Sequence, residues 1–159
     1  MKATSISEDS FSVKEVIEEV ADEIEPLSED AGIMLIKEFK DDISIEKANR
    51  SLIFSMFFNI VNNSVRNTPA GGRIIIESRK QNKDFSVMIS DTGKGLTGEQ
   101  KELLFSRFRM RNKESGEGTG IGLAIAKTIA DFHQIDISVD SDQGKGTKFT
   151  FLFPGKSTF

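Results

Sequence analysis

The chain has 159 residues, of which 37% are hydrophobic and 29% charged, and its net charge is −4. This composition is typical of one globular domain, and the acidic balance argues against non-specific nucleic-acid binding, which needs a basic surface. The chain contains no cysteine, which excludes disulfides, zinc–thiolate sites and a cysteine nucleophile.

Residues 1–10 are polar and are predicted to lead into a single domain over residues 11–155. Hydrophobic periodicity predicts a short strand, a helix from about Val13, and the strand "IMLIKEF". A long helix follows, with Ser44 and Lys47 near its start and Pro69 at its end.

The second half of the chain contains two predicted hairpins separated by helices. The strands "GGRIIIESRK" and "DFSVMISD" are followed by a short helix, a polar loop over 107–119 and the helix "GIGLAIAKTIADFH". A closing hairpin completes the order βαβαββααββ. Because every helix needs a surface to cover, we predict an α/β fold, a two-layer sandwich of a mixed β-sheet with helices on one face.

A narrow stripe of amide and basic side chains runs along the predicted long helix. At 3.6 residues per turn, about a third of the helix circumference contains Asn59, Asn62, Asn63 and Arg66. The rest of the helix is nearly all apolar, and asparagine is a poor helix former. The stripe indicates either amide ligands for Mg²⁺ with a basic phosphate contact, or amides hydrogen-bonded to neighbouring loops.

The segment "DTGKGL" follows an apolar strand and places a carboxylate, Asp91, beside Gly93 and Gly95. A carboxylate next to exposed backbone can accept a hydrogen bond from the amino group of a flat ligand such as adenine. The alternative is an ordinary turn, since Asp and Gly are common turn residues.

The segment "GEGTGIGLAIAK", at residues 116–127, places four alternating glycines before a helix. A helix N-terminus with little side-chain cover can bind an anion such as phosphate. The spacing is neither that of a dinucleotide-binding fingerprint nor that of a Walker A motif. A flexible lid that leads into a helix start would suit a nucleotide that must be gripped and released.

Four segments in this order resemble the N, G1, F and G2 boxes of histidine-kinase ATP-binding domains: "NIVNNSVRNTPAGG", "DTGKGL", "LLFSRF" and "GEGTGIGLAIAK". That superfamily also includes DNA gyrase, mismatch-repair ATPases and the heat-shock chaperone ATPase. The resemblance extends from about Phe11 to Pro154 and implies the Bergerat ATP-binding fold, which agrees with the predicted element order.

By position, the resemblance implies that the chain binds ATP and Mg²⁺. Asn63 corresponds to the magnesium ligand, Asn59 helps to place the metal and phosphates, and Arg66 is a phosphate contact. These three residues are therefore also the candidate catalytic residues. Asp91 corresponds to the acceptor for the adenine amino group. The other candidate nucleotide contacts are Asn67, Gly93, Gly95, Gly118, Thr119, Gly120, Ile121, Gly122, Leu123 and Thr147.

The chain departs from the family pattern at several positions. Asn67 stands where an aromatic residue usually lines the nucleotide pocket. The only histidine, His133, ends a helix and lacks the acceptor signature, so we expect a structural role for it. In the lid region, Phe105 and Phe108 resemble the F-box pair, although we expect simple packing at the lid hinge to be the role of both. The pattern does not decide which lid arginine would contact the γ-phosphate.

The hydrolytic branches of the superfamily have a glutamate one turn before the metal-binding asparagine, and this chain has Asn59 there. An amide is not a useful general base. The resemblance therefore implies the catalytic domain of a sensor histidine kinase, cytoplasmic whether or not its parent is membrane-anchored, with no membrane or nucleic-acid contact of its own. Its expected partners are a helical dimerisation and histidine-acceptor domain of the same parent and the receiver domain of a response regulator.

Two other functions remain open at this point. The first is an ATPase or serine-kinase switch of the same superfamily, which steady-state hydrolysis would reveal. The second is a degenerate interaction module, which the substitution at Asn67 keeps open. The expected start of the domain also suggests that the chain is a fragment of a longer protein.

Overall fold

The computed structural model describes residues 10–105, 119–142 and 144–153, without the side chains of 103–105 and 119–121. The strands are β1 (Phe11–Ser12), β2 (Met34–Phe39), β3 (Ser44–Ile45), β4 (Arg73–Gln81), β5 (Asp84–Asp91), β6 (Asp136–Asp142) and β7 (Gly146–Phe153). The helices are α1 (Val13–Asp30), α2 (Arg50–Asn67), α3 (Gly98–Phe105) and α4 (Thr119–Phe132). Across these ranges no helix is both long and apolar enough to cross a membrane.

The main sheet has five strands in the order β2-β4-β5-β7-β6. The β2–β4 pair is parallel, and the other three pairs are antiparallel, so the sheet is mixed as predicted. The strands β1 and β3 form a separate two-stranded antiparallel pair. In the main sheet the register places Asp91, the last residue of β5, opposite Thr147 near the start of β7. The two hairpins therefore meet at one end of these strands.

One face of the sheet carries the apolar core. Alternate residues of β5 and β7 are buried, as period-two alternation requires, and they pack under the helices. Phe57 of α2 meets Phe151 of β7 edge to face, with ring centroids 5.0 Å apart. The helices lie together on this face, so the predicted two-layer sandwich is confirmed.

The start of α2 differs from the prediction, which placed Ser44 near the first turn. The helix begins at Arg50, and the Asn49 side chain caps it by accepting from the Leu52 N–H at 3.0 Å. Ser44 instead pairs with Ser12 in the small sheet, and Lys47 has a φ of 56°, which a right-handed helix does not allow. The local pattern was ambiguous because this polar segment has no helical periodicity, and strand pairing with β1 decided its structure.

Two neighbours hold α2 in place. Arg50 forms a bidentate ion pair with Glu19 of α1, with nitrogen–oxygen distances of 3.0 and 2.9 Å. On the other side α2 runs antiparallel to α4, since Gly122 at the start of α4 lies at Asn59 and His133, just after α4, lies at Asn49. The C-terminal half of α2, the end of β5 and the start of α4 therefore converge.

Candidate nucleotide-binding site

Asp91 is the last residue of β5, and its carboxyl is buried with 7% of the residue exposed. Its Oδ1 accepts a hydrogen bond from the Gly93 N–H at 2.8 Å. Burial raises the pKa of the Asp91 carboxyl above its usual value, and the Gly93 N–H opposes that shift by favouring the ionised form. The site therefore holds a strong acceptor that is poorly solvated, as recognition of an amino group requires.

The loop after Asp91 lies directly against the end of α2. A Cβ at Gly93 would overlap the carbonyl oxygen of Asn67, and the same carbonyl accepts from the Lys94 N–H at 3.3 Å. Gly95 has a φ of 79°, in the left-handed region that glycine adopts without strain. Close packing against the Asn67 main chain therefore explains Gly93, and the left-handed backbone explains Gly95.

Thr147 of β7 is buried beside Asp91, and its hydroxyl lies 2.8 Å from that of Ser141. The Ser141 hydroxyl also accepts from the Leu96 N–H at 2.7 Å and lies 3.0 Å from the Gly146 carbonyl, to which it donates. Ser141 thus connects the loop after β5 to the β6–β7 hairpin. Ser141 was not among the predicted site residues. Its position on the buried face of an alternating strand, near the end of that strand, could have indicated a buried polar contact.

Asn63 lies in the buried part of α2 with 6% of the residue exposed. Among the residues that the structure describes, its Oδ1 has no hydrogen-bond partner, while its carbonyl accepts from the Asn67 side-chain amide at 3.1 Å. A buried amide oxygen without a partner is costly unless a ligand completes it, and an oxygen of this kind suits a hard cation. In the ranges that the structure covers, no cluster of His, Cys, Asp or Glu could hold a metal ion instead.

Asn59 lies one turn before Asn63. The Asn59 amide nitrogen donates to the Ser55 carbonyl at 2.8 Å and to the Ser55 hydroxyl at 3.2 Å. Its Oδ1 faces α4, where a Cβ on Gly122 would come within 3.3 Å of it. Leu123, next in α4, is buried in the core. Asn59 therefore presents an oxygen to the helix start that was predicted to bind phosphates.

Arg66 is exposed, and no ion pair involves it among the described residues. It follows Asn59 and Asn63 on the same side of α2, so its guanidinium is available at the open edge of the site. Residues 107–118 of the predicted lid lie outside the described residues. Gly118, Phe108 and the lid arginines are among them. Thr119, Gly120 and Ile121 form the first turn of α4, and nothing is stated of their side chains.

His133 uses both ring nitrogens within the fold. Its Nε2 accepts from the Asn49 N–H at 3.2 Å, and its Nδ1 lies 2.9 Å from the Ile129 carbonyl, an arrangement that matches the tautomer with the proton on Nδ1. This arrangement ties the end of α4 to the start of α2. The contacts support the structural role that was expected for His133.

Ser64 is a second residue that the sequence analysis missed. It is fully buried on α2, and among the described residues its hydroxyl has no hydrogen bond of good geometry. An interaction with this hydroxyl partly opposes the rise in the pKa of the Asp91 carboxyl that burial causes. The sequence places Ser64 on the same face of the helix as the apolar residues Phe57 and Ile60, and this spacing could have predicted a buried hydroxyl.

The predicted nucleotide-binding class of domain requires a buried acceptor carboxylate and an amide oxygen free to bind a ligand, and the described residues include both on neighbouring elements of an α/β sandwich. Comparison with known proteins agrees with that class. The model of the family described as "Histidine kinase-, DNA gyrase B-, and HSP90-like ATPase" matches residues 48–157. The chain therefore belongs to this family, and its relatives place it among the catalytic domains of sensor histidine kinases.

Two curated relatives and two solved structures illustrate the similarity. Adaptive-response sensory kinase SasA of Rippkaea orientalis is 30% identical over 139 residues, which are 86% of this chain and 36% of that protein. Sensor histidine kinase RppB of Synechocystis is 31% identical over 146 residues, which are 89% of this chain and 32% of that protein. The chain thus spans about a third of the length of these relatives.

Among solved structures, the catalytic domain of histidine kinase ThkA is 29% identical with a TM-score of 0.78, covering 93% of this chain and 95% of that one. A complex of histidine kinase ThkA with response regulator protein TrrA matches with a TM-score of 0.74 and 27% identity, covering 95% of this chain and 42% of that one. The fold and the family therefore agree.

Proposed function

We propose that this chain binds ATP with Mg²⁺ and donates the γ-phosphoryl group to a histidine on a separate helical acceptor domain of its parent protein. The observation that carries the proposal is the Asn63 Oδ1, which is buried on α2 without a partner in the described ranges, while the buried Asp91 carboxyl ends strand β5. Both groups have the chemistry of a ligand contact, and the unpartnered oxygen is costly in the absence of a ligand.

Each residue has a distinct task in this proposal. The Asp91 carboxylate accepts from the adenine amino group, and the main-chain contact between Gly93 and Asn67 shapes the wall beside the base. Asn63, assisted by Asn59, would hold Mg²⁺, which supplies charge neutralisation at the phosphates when it is bound. Arg66 and the start of α4 hold the phosphates in line for transfer, so catalysis consists mainly of positioning and electrostatic stabilisation.

The absence of a general base at position 59 favours phosphoryl transfer over hydrolysis. The Asn59 amide is held by two hydrogen bonds to Ser55, and neither amide atom can take a proton from water. The nucleophile and its base would then come from the acceptor domain. We further propose a response-regulator receiver domain as the next partner, by analogy with the ThkA–TrrA complex, and a cytoplasmic location.

Calorimetric titration with ADP and with a non-hydrolysable ATP analogue, with and without Mg²⁺, tests the binding step. We expect micromolar-range binding that Asp91→Ala abolishes and whose magnesium dependence Asn63→Ala removes. Failure of the unmodified chain to bind either nucleotide would contradict the proposal and favour the interaction-module alternative.

Phosphoryl transfer is tested by adding a histidine-acceptor domain and γ-labelled ATP. We expect label on the acceptor domain only, and very little free phosphate from the chain alone. Fast hydrolysis by the chain alone would favour an ATPase or serine-kinase switch. Label on His133 would contradict its structural assignment.

A further inference from the structure

Three polar residues form a row across one end of the main sheet. The register places Asp91 of β5 opposite Thr147 of β7, and Thr147 opposite Ser141 of β6. Residues that are opposite in neighbouring strands share one face of the sheet, with Cβ atoms about 5 Å apart. All three are buried, with 7%, 6% and 5% of each residue exposed. The row therefore lies on the buried face of the sheet, with the proposed adenine acceptor at one end of it.

The Ser141 hydroxyl takes part in three contacts. Its Oγ accepts from the Leu96 N–H at 2.7 Å, and it lies 3.0 Å from the Gly146 carbonyl and 2.8 Å from the Thr147 hydroxyl. A carbonyl oxygen only accepts, so the single proton of the serine hydroxyl goes to Gly146. The contact between the two hydroxyls then needs the proton of Thr147. This is the one assignment of protons that makes all three contacts hydrogen bonds.

The direction of this bond determines what the Thr147 hydroxyl can offer to a ligand. A hydroxyl has one proton and two lone pairs, and the proton of Thr147 is committed to Ser141. Only lone pairs then remain for a molecule that lies beside Asp91. The Asp91 carboxylate likewise accepts and does not donate, as it does from the Gly93 N–H. Together the two side chains present acceptors only, which favours a base edge with a donor and disfavours one with an acceptor.

We propose that Ser141 is a positioning residue for base recognition, which holds the Thr147 proton away from the ligand so that the base end accepts an amino group and rejects a carbonyl in its place. This inference rests on the proposed ATP-binding function and deepens it. It assigns part of the discrimination between 6-amino and 6-oxo purines to a residue that acts through the Thr147 side chain.

The test compares ATP with inosine triphosphate, whose base has an oxygen in place of the amino group, in calorimetric titrations at one Mg²⁺ concentration. The triphosphate is the same in both, so its contribution cancels from the ratio of the two affinities. We expect the unmodified chain to bind ATP at least about tenfold more tightly, because two acceptors would face each other in the inosine complex. Ser141→Ala frees the Thr147 proton to donate to the inosine oxygen and should reduce this ratio by roughly fivefold. A merely structural role would weaken both nucleotides equally, and that result would overturn the proposal.

Further variants separate the hydroxyl from packing. Ser141→Thr keeps the hydroxyl and should keep the ratio; if it loses the ratio as Ser141→Ala does, packing sets the ratio and the proposal is overturned. If Ser141→Ala does not fold, Ser141→Cys takes its place, because a thiol is a weak hydrogen-bonding group, and an unchanged ratio in that variant would also overturn the proposal.

The matched control is Ser78→Ala, which removes another buried serine hydroxyl, one that donates to the Asp41 carbonyl at 2.7 Å. Both alanine variants should lower the melting temperature, because each leaves a buried group without its partner. Only Ser141→Ala should change the nucleotide ratio. An equal change of the ratio in Ser78→Ala would mean that lost stability causes it, and would count against the proposal.

The outcomes also separate this inference from the function on which it rests. If the unmodified chain binds neither nucleotide, the ATP-binding function fails and the role of Ser141 fails with it. If the chain binds both equally, it binds nucleotide but its base end does not present acceptors only, and the inference is wrong. If the ratio in Ser141→Ala equals that of the unmodified chain, the function stands and the Ser141 inference alone is wrong.

Discussion

The two ends of the candidate site differ in how many of their polar groups already have partners. At the base end, the Asp91 carboxylate accepts from the Gly93 N–H, and the Ser141 hydroxyl lies in hydrogen-bond distance of the Leu96 N–H and the Thr147 hydroxyl. The backbone at Gly93 also packs directly against the Asn67 carbonyl. At the proposed phosphate end, the Asn63 Oδ1 has no partner among the described residues, and Arg66 is exposed. Under the proposed function, the base end is therefore formed in advance, whereas a bound ligand would complete the phosphate end.

This difference has a physical cause. A carboxylate that reads one amino group needs fixed geometry, which strand pairing and close backbone contact provide. Phosphate groups and a hydrated cation carry most of their own charge and need mainly donors and oxygen ligands within reach. A site that must also release product benefits from leaving this half open.

The largest expected effect is that of Gly93→Ala, which disrupts the preformed end. The added Cβ would overlap the Asn67 carbonyl, a backbone atom that cannot move alone. We expect destabilisation of about 2–4 kcal/mol and loss of nucleotide binding, measured by urea unfolding and calorimetry. The control is Gly98→Ala, where nothing lies within 4 Å of the new Cβ; equal destabilisation by both variants would contradict the packing argument.

Asp91→Asn separates recognition from stability at the same end. The pKa of Asp91 is raised in the folded state, so the stability that Asp91 contributes is present below its unfolded pKa and is lost as pH rises through its folded pKa. The asparagine keeps an oxygen for the Gly93 N–H and carries no charge.

We therefore expect the free energy of unfolding of the unmodified chain to fall relative to Asp91→Asn as pH rises from about 3 to about 7. Nucleotide affinity should fall roughly tenfold or more in the variant, because one acceptor oxygen becomes a donor. Urea unfolding at several pH values measures the first effect. A pH-independent difference between the two proteins would show that Asp91 is not desolvated in the folded state.

Asn63→Ala tests the open end. Removing an unpartnered buried amide should not lower the free energy of unfolding, and alanine is the better helix former. Magnesium-dependent affinity should fall on the order of tenfold. Asn62→Ala, on the same helix but less buried, is the control and should retain the magnesium dependence. Loss of stability in Asn63→Ala with unchanged magnesium dependence would make Asn63 a structural residue.

The smallest effect is expected for His133→Ala, which lies outside both ends. The variant leaves the Asn49 N–H without its acceptor and should cost about 1 kcal/mol of unfolding free energy. Nucleotide affinity should be unchanged in calorimetry. A large loss of affinity would mean that the α2–α4 contact also controls the site.

Much of this molecule follows from short-range sequence patterns. Alternation in β5 and β7 and helical periodicity in α1 and α4 predicted these elements correctly because each reflects a local geometric period. The prediction failed at Ser44 and Ile45, where pairing with β1 overrode a weak local pattern. Roles of the site residues stay predictions, although Asn59, Asn63, Asp91, Gly93 and Thr147 do lie around one region of the fold.

The sequence by itself determined the element types outside β3, the family and the identity of the candidate ligand groups, since residue spacing and chemistry are local properties. The tertiary structure alone decided which polar groups have partners. Ser141 became a link between loops and His133 a cap for α2 through contacts distant in sequence. The Asn63 Oδ1 is left without a partner in the described ranges for the same reason: burial and hydrogen-bond satisfaction depend on what packs against a residue, which local sequence does not specify.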